Sequence, residues 1–391
     1  MNLLDLESKY AEYQIAMRRL FHSCPEASGK EFETAKLIRA ELDKMGIEWR
    51  ECGMPTGTLA TIKGARPGRT ILLRGDIDGL EVTEKTGVDY ASKNEGFMHA
   101  CGHDCHISML LTAGKILNDL RDRLCGTVVL CFQPAEEIGK GAAAMIADGV
   151  LEGVDAAFGI HVWSDVPTGH VSVRTGPMMA AADHFEIEVF GKAGHGAMPH
   201  CCVDATLIGS AITMNLQSAV SREINPIETA VVTVGKFESG TRFNVVSGYA
   251  KLTGTTRCFS REVRANFPEQ LQRIAQETAR AMRGDAKLNY DFLLPPTIND
   301  ADMAERVRTA AKKLLGDNAL YDYPVSMGGE DFAFYQEKVP GVMCFLGVRN
   351  EACGATWAQH HNCYQVDEDM LIKGALLHTQ MAVDYLGLEC Q

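Results

Sequence analysis

The sequence predicts an α/β protein, a mainly parallel sheet covered by helices and interrupted by an inserted ferredoxin-like α+β domain. Three observations predict it. Short apolar runs such as Thr70 to Arg74 and Thr127 to Phe132 alternate with helical periodicities, as expected for strands buried on both faces. From His184 the pattern changes to half-buried alternation, in the order β-α-β-β-α-β of the split βαβ unit. The 391 residues also exceed the size at which one hydrophobic core keeps growing. The expected division is 1–182 with 295–391 for the discontinuous α/β domain, and 183–294 for the insertion.

Each element has a local reason. Leu6 to Phe21 carries apolar residues at helical spacing and is broken by Cys24-Pro25. Ser28 with Glu31 reads as a capping box, opening a helix that runs to Gly46. Strands are expected at Thr58 to Ile62 and Thr70 to Arg74, the latter running into Gly75-Asp76-Ile77-Asp78-Gly79. Ile107 to Leu120 reads as a helix. Thr127 to Phe132 is a strand ending in Gln133-Pro134-Ala135-Glu136-Glu137, and Ala156 to Ile160 is a strand running into His161. Three strands thus carry Asp, Glu or His to one end, and open α/β sheets bind ligands beyond the carboxyl ends of their strands. The insertion reads as strand His184 to Phe190, a helix from Leu207 to Val220, strands Thr229 to Phe237 and Tyr249 to Cys258, a helix through Leu271 and Met282, and strand Lys287 to Leu294. After Pro295-Pro296 come a helix from Met303 to Leu315, a strand from Val342 to Val348, and a final helix from Asp369.

Composition excludes several classes of function. A net charge of -13 without any Lys/Arg cluster argues against nucleic acid and against an anionic membrane surface. The longest apolar runs, such as Ala142 to Ala147, are too short to span a bilayer. The start, Met1 to Glu7, has acids where a signal peptide needs a basic start and a long apolar run, so a cytoplasmic location is expected. The 13 cysteines show no repeated spacing, which suits reduced thiols.

The richest chemistry lies in His99-Ala-Cys-Gly-His-Asp-Cys-His106, with three imidazoles, two thiols and a carboxylate in eight residues. These are ligands for zinc-like metals, although neither cysteine spacing fits a structural zinc finger. A polar loop with a buried thiol is the plain alternative. Asp76 and Asp78 read equally as a solvated turn and as partners that orient a ligand histidine.

Together these motifs resemble the metal-dependent aminoacylase and carboxypeptidase-G-like amidohydrolases. The resemblance is closest to the branch of hippurate hydrolases, plant auxin-conjugate hydrolases, N-acyl-amino-acid amidohydrolases and N-acetyldiaminopimelate deacetylases. It spans nearly the whole chain and rests on Arg74-Gly-Asp-Ile-Asp-Gly-Leu80, Met98-His-Ala-Cys-Gly-His-Asp104, Phe132-Gln-Pro-Ala-Glu-Glu137, Gly159-Ile-His161, Gly191-Lys-Ala-Gly-His-Gly-Ala-Met-Pro-His200 and Met327-Gly-Gly-Glu-Asp-Phe332. It implies two divalent ions, of Zn, Mn, Co or Ni, held by Cys101, His103, Glu137, His161 and a C-terminal histidine, with Cys101 between them. Glu136 is implied as general base, and His195 as a donor to the scissile carbonyl across a dimer interface. Asn244 and Arg257 are candidates to bind a substrate carboxylate, with a surface ion pair as the plain alternative. The inserted domain is implied to act as lid and dimerisation surface, and the protein as a homodimer that hydrolyses the amide of small N-acyl amino acids. A dipeptidase or carboxypeptidase is the alternative within the family; a thiol hydrolase with Cys101 as nucleophile is a different chemistry.

The chain departs from the family pattern twice. Relatives read Leu-His-x-Pro-x-Phe where this chain has Gln359-His360-His361-Asn362-Cys363-Tyr364, so the ligand is expected at His360, with His361 as the alternative. Relatives read Asn-Val-Ile-Pro-Asp where this chain has Asn244-Val-Val-Ser-Gly248, beside the expected substrate.

Overall fold

The computed structural model describes residues 3–388, which divide into two compact units. The first comprises Met1–Gly176, Ile298–Pro324 and Asp331–Gln391; the second comprises Pro177–Thr297 and Val325–Glu330.

In the first unit the chain forms helices α1 (Glu7–His22) and α2 (Phe32–Met45), then strands β1 (Glu48–Cys52), β2 (Met54–Lys63) and β3 (Arg66–Asp76). Helix α3 (His103–Asp119), strand β4 (Cys125–Gln133), helix α4 (Gly141–Ala147), and strands β5 (Ala156–Pro167) and β6 (Val171–Ser172) follow. Among the described residues seven strands form one sheet, in the order β1-β2-β4-β3-β5, then Gly341–Arg349, then β6. Its centre is parallel: β3 runs between β4 and β5, and Gly341–Arg349 runs beside β5. The sequence explains this. Ile71, Leu72 and Leu73 are fully buried, and each such side chain contributes about 1.5–3 kcal/mol relative to exposure. Helix α3 is buried on nearly every side, and the final helix Leu371–Leu386 packs against it.

The second unit is a four-stranded antiparallel sheet in the order Ala230–Ser239, Tyr249–Cys258, Ala181–Phe190, Asp285–Leu294. Helices Ala205–Asn215 and Arg261–Ala281 complete the β-α-β-β-α-β sequence. Phe185, Ile187 and Val189 point into its core, while Glu186 and Glu188 face outward.

Two local expectations are corrected. Ser28 and Glu31 do not form a capping box: Glu31 is the N-cap of α2 but makes no side-chain cap bond. Its buried carboxylate instead accepts from the N–H groups of Gly29 and Ala135 and from the Thr56 hydroxyl, while Ser28 donates to Asp78. Helix α3 starts at His103, earlier than Ile107, because its polar first turn is paired with residues of α1. Among the described residues no helix is long and apolar enough to cross a membrane.

Candidate active site

The parallel strands bring their chemistry to one end of the sheet. β3 delivers Asp76 and, two residues on, Asp78; β4 delivers Glu136 and Glu137 just beyond Gln133. β5 pairs with β3 only as far as Arg74↔Gly159, so His161 emerges level with the end of β3. Asp78 ties these ends together. Its Oδ1 accepts from Glu136 N–H (3.2 Å), its Oδ2 from Glu137 N–H (3.0 Å) and the Ser28 hydroxyl (2.6 Å), and its carboxylate and carbonyl both face His103 Nδ1. The turn passes through Ala135 at φ +55°, a left-handed conformation held by the Glu31 carboxylate. Glu136 is buried, and its carboxylate lies within 4.8 Å of the ligand atoms of His103 and Glu137.

Helix α3 begins at His103, directly after Gly102 at φ +88°. A Cβ on Gly102 would sit 2.4 Å from Val162 Cγ2, so only glycine lets the loop turn this close to β5. Cys101 Sγ lies 3.5 Å from His161 Nε2 and 3.3 Å from His360 Nε2. Glu137 Oε1 lies 3.8 Å from His103 Nε2 and 3.6 Å from His360 Nε2. His360 adopts φ +65°, and its N–H is anchored on the Ala100 carbonyl at 2.8 Å. His361 points elsewhere: its ring stacks on Trp357 at 4.2 Å and accepts the Cys363 N–H.

These donors fall into two groups that share Cys101: Cys101, His103 and His161, and Cys101, Glu137 and His360. Tetrahedral ligands at ordinary zinc–nitrogen, –oxygen and –sulfur lengths stand about 3.4–3.6 Å apart. The measured 3.3–3.8 Å separations bracket that spacing. His103 Nε2 and Glu137 Oε1 are buried with no hydrogen-bond partner among the described residues, and both lie in this cluster. Electrostatics agree. Burial lowers the His103 pKa, but Asp76, Asp78 and Glu137 outweigh it and raise the group to about 10. Burial and the carboxylates of Glu137, Glu136 and Asp76 push the Cys101 thiol well above its usual range. Burial keeps His161 neutral. A thiol, a carboxyl and imidazoles sharing buried negative surroundings form a donor set suited to divalent cations.

Residues 72–384 match the peptidase family M20/M25/M40. The chain belongs to that family. It is 40% identical over 375 residues to an N-acetyl-L-cysteine deacetylase of Bacillus subtilis, covering 96% of this chain and 88% of the relative. It is 39% identical over 390 residues to IAA-amino acid hydrolase ILR1-like 4 of Arabidopsis thaliana, covering 98% and 88%. Among solved structures, the YXEP protein of Bacillus subtilis, a dinuclear metal binding peptidase of this family, superposes with a TM-score of 0.87 at 36% identity, covering 97% of this chain and 99% of that one. The chain is thus a hydrolase of the M20/M25/M40 family.

In this family member the remaining candidates lie in the second unit. His195 pairs with Val245 in a two-stranded ribbon, and the Asn244 carbonyl accepts the Gly196 N–H, so His195 and the Asn244 turn are neighbours. His195 is exposed, and its Nδ1 accepts the Ala197 N–H at 3.0 Å, which leaves Nε2 as the N–H donor. Arg257 sits on the strand Tyr249–Cys258, half-buried; burial lowers its pKa, and its side chain has no hydrogen bond or ion pair among the described residues. Asp183, the acid whose charge acts on Arg257, is occupied by Arg264 through two 2.8 Å bonds.

The parts played by Glu31, whose carboxylate holds the Ala135 turn, and by His106, bonded to Asp76 and Val162, are not readable in the sequence. His106 follows His103 at the i,i+3 spacing that puts two side chains on one helix face, which is the signal that was available.

Proposed function

We propose that the chain hydrolyses the amide bond of small N-acyl amino acids, using two divalent ions held by Cys101, His103, Glu137, His161 and His360. The observation that carries this reading is the pair of donor groups sharing the Cys101 sulfur at coordination-like separations. Bound there, two ions of Zn, Mn, Co or Ni supply Lewis acidity toward a water and toward the amide carbonyl. Glu136 takes the proton of the attacking water and passes it to the leaving nitrogen as the C–N bond breaks, releasing a carboxylate and a free amino acid. His195 offers its Nε2–H to the oxyanion, and the unpaired Arg257 cation, with Asn244, receives the substrate carboxylate. A thiol hydrolase with Cys101 as nucleophile would be excluded by chelator-reversible inactivation without a trapped acyl-enzyme.

The second unit serves in this reading as lid and dimer surface, with His195 acting on the partner's site. Its sheet exposes an edge strand, Ala230–Ser239, bearing exposed Val231 and Phe237, and its helix Ala205–Asn215 exposes Leu207 and Met214. Unpaired edges and apolar surface of this kind favour association. The small-molecule substrate and the acidic surface fit a cytoplasmic enzyme.

The test is metal analysis of purified protein, followed by a panel of N-acetyl, N-benzoyl and aminoacyl amino acids with the metal restored. Glu136→Gln should keep the metal and lose about 10²–10⁴-fold in kcat. Retention of the wild-type rate would remove Glu136 as the base. Preference for aminoacyl compounds would make the enzyme a dipeptidase or carboxypeptidase. Sedimentation at micromolar concentration tests the dimer.

A further inference from the structure

His106 is a third imidazole among the candidate ligands, and the structure gives it a different role. It is 1% exposed, its ring stacks on His103 (centroids 5.4 Å apart) and meets His161 edge-on at 4.7 Å. Its Nδ1 lies 2.5 Å from Asp76 Oδ1, and its Nε2 lies 2.9 Å from the Val162 nitrogen.

The direction of each of these bonds is determined. Arg74 is a permanent cation donating to Asp76 and Asp331, so Asp76 is an acceptor. A backbone N–H can only donate. His106 must therefore carry its proton on Nδ1, toward Asp76, and present the Nε2 lone pair to Val162. That lone pair is already used, so His106 cannot ligate a metal without releasing the Val162 N–H. The other end of the same residue is equally committed. The Val162 carbonyl accepts from His161 Nδ1 at 2.6 Å and from Gln359 Nε2 at 3.0 Å. The first bond forces the His161 lone pair onto Nε2, the atom beside Cys101. The second anchors the residue immediately before His360. Helix α3, strand β5 and the C-terminal loop thus meet on the main chain of Val162.

We propose that His106 is a positioning residue, a neutral imidazole clamp on Val162 that sets the aim of His161 and His360 at the metal pair. The proposal rests on the metallohydrolase reading above. It concerns no ligand; it assigns the part that holds two ligands in register. Outer partners of this kind typically change metal affinity by about 10–100-fold when removed.

The test compares His106→Leu, which fills the space without either hydrogen bond, with His106→Gln, which keeps one donor and one acceptor. Each is titrated with Co(II), and the visible absorption of the cobalt–thiolate site is recorded beside the circular dichroism and melting temperature. The expected result is that His106→Leu loses about 10–100-fold in affinity for at least one equivalent of Co(II), with an altered spectrum, and that His106→Gln recovers most of both. Wild-type affinity and spectrum in His106→Leu would overturn the proposal. So would equal impairment in two folded variants, because packing alone would then explain the loss. Should His106→Leu not fold, the wild-type protein with 15N-labelled histidine decides. On addition of Zn(II), the Nε2 resonances of His103 and His161 should move, while that of His106 keeps the position of a neutral hydrogen-bond acceptor. A metal-induced shift at His106 Nε2 would overturn the proposal. Failure of the wild type to bind Co(II) at all would overturn the metallohydrolase reading and this assignment with it.

Discussion

Asp78→Asn preserves shape and removes charge at the residue that ties the strand ends together. Four donors reach the Asp78 carboxylate: Glu136 N–H and His103 Nδ1 at Oδ1, and Glu137 N–H and the Ser28 hydroxyl at Oδ2. An asparagine has one oxygen, so its NH₂ must face one pair. Placed at Oδ1, it opposes both the Glu136 N–H and the His103 Nδ1–H, which is left to the Asp78 carbonyl alone. Placed at Oδ2, it opposes the Glu137 N–H, while the Ser28 hydroxyl turns round to accept. The second arrangement costs less, and it still loses a charge-assisted bond, about 1.5–3 kcal/mol, at the backbone of Glu137. If that loss appears as displacement of the Glu137 carboxylate, metal affinity falls about 10–100-fold. Competition against a chromogenic chelator measures the affinity, and kcat at saturating metal measures the residual misplacement, where a 1 Å error costs up to about 10²-fold. Asp78→Asn with wild-type affinity and wild-type kcat would refute the role of Asp78 as the shared support of His103 and the glutamate pair.

Three further outcomes follow from the same structure. Gly102→Ala places a Cβ 2.4 Å from Val162 Cγ2 and 3.1 Å from the Tyr364 hydroxyl at φ +88°; left-handed strain and overpacking together should cost about 2–4 kcal/mol, read as a lowered Tm and reduced metal content. His378 is fully buried, and burial lowers its pKa to about 3. The unfolded chain therefore binds this proton first, and stability is lost as pH falls from about 6.5 toward 3, by about 2 kcal/mol at pH 5. His378→Leu should flatten the stability difference between pH 7.5 and pH 5 in urea unfolding; an unchanged slope would assign the acid sensitivity to other groups. Arg257→Met should lower kcat/KM about 10–100-fold for N-acyl amino acids and leave their methyl esters little affected, which initial-rate measurements on the two series would show.

The parts readable in sequence are those whose cause is local. An apolar run such as Ile71 to Leu73 is a buried strand whatever follows it, and the alternation of Phe185, Ile187 and Val189 faces a core under any topology. The motifs Cys101-Gly102-His103 and Glu136-Glu137 stand out because chemistry of that kind has no packing use, and their family resemblance adds roles that spacing alone does not contain. What depends on distant partners was not readable. Ser28 and Glu31 have the spacing of a capping box, but their side chains turn to Asp78, Thr56 and Ala135, residues remote in sequence and a stronger claim on a buried carboxylate than one helix N–H. His360 and His361 are adjacent and chemically identical. The left-handed φ of His360 and its anchor on Ala100 aim one ring at Cys101, while Trp357 captures the other. His106 reads in the sequence only as one more imidazole of the 99–106 stretch, because its partners, Asp76 and Val162, lie 30 and 56 positions away. Sequence alone determined which elements form and which residues are available for chemistry. Tertiary structure decided which nitrogen of each histidine is free, because a tautomer is set by whatever accepts the other proton.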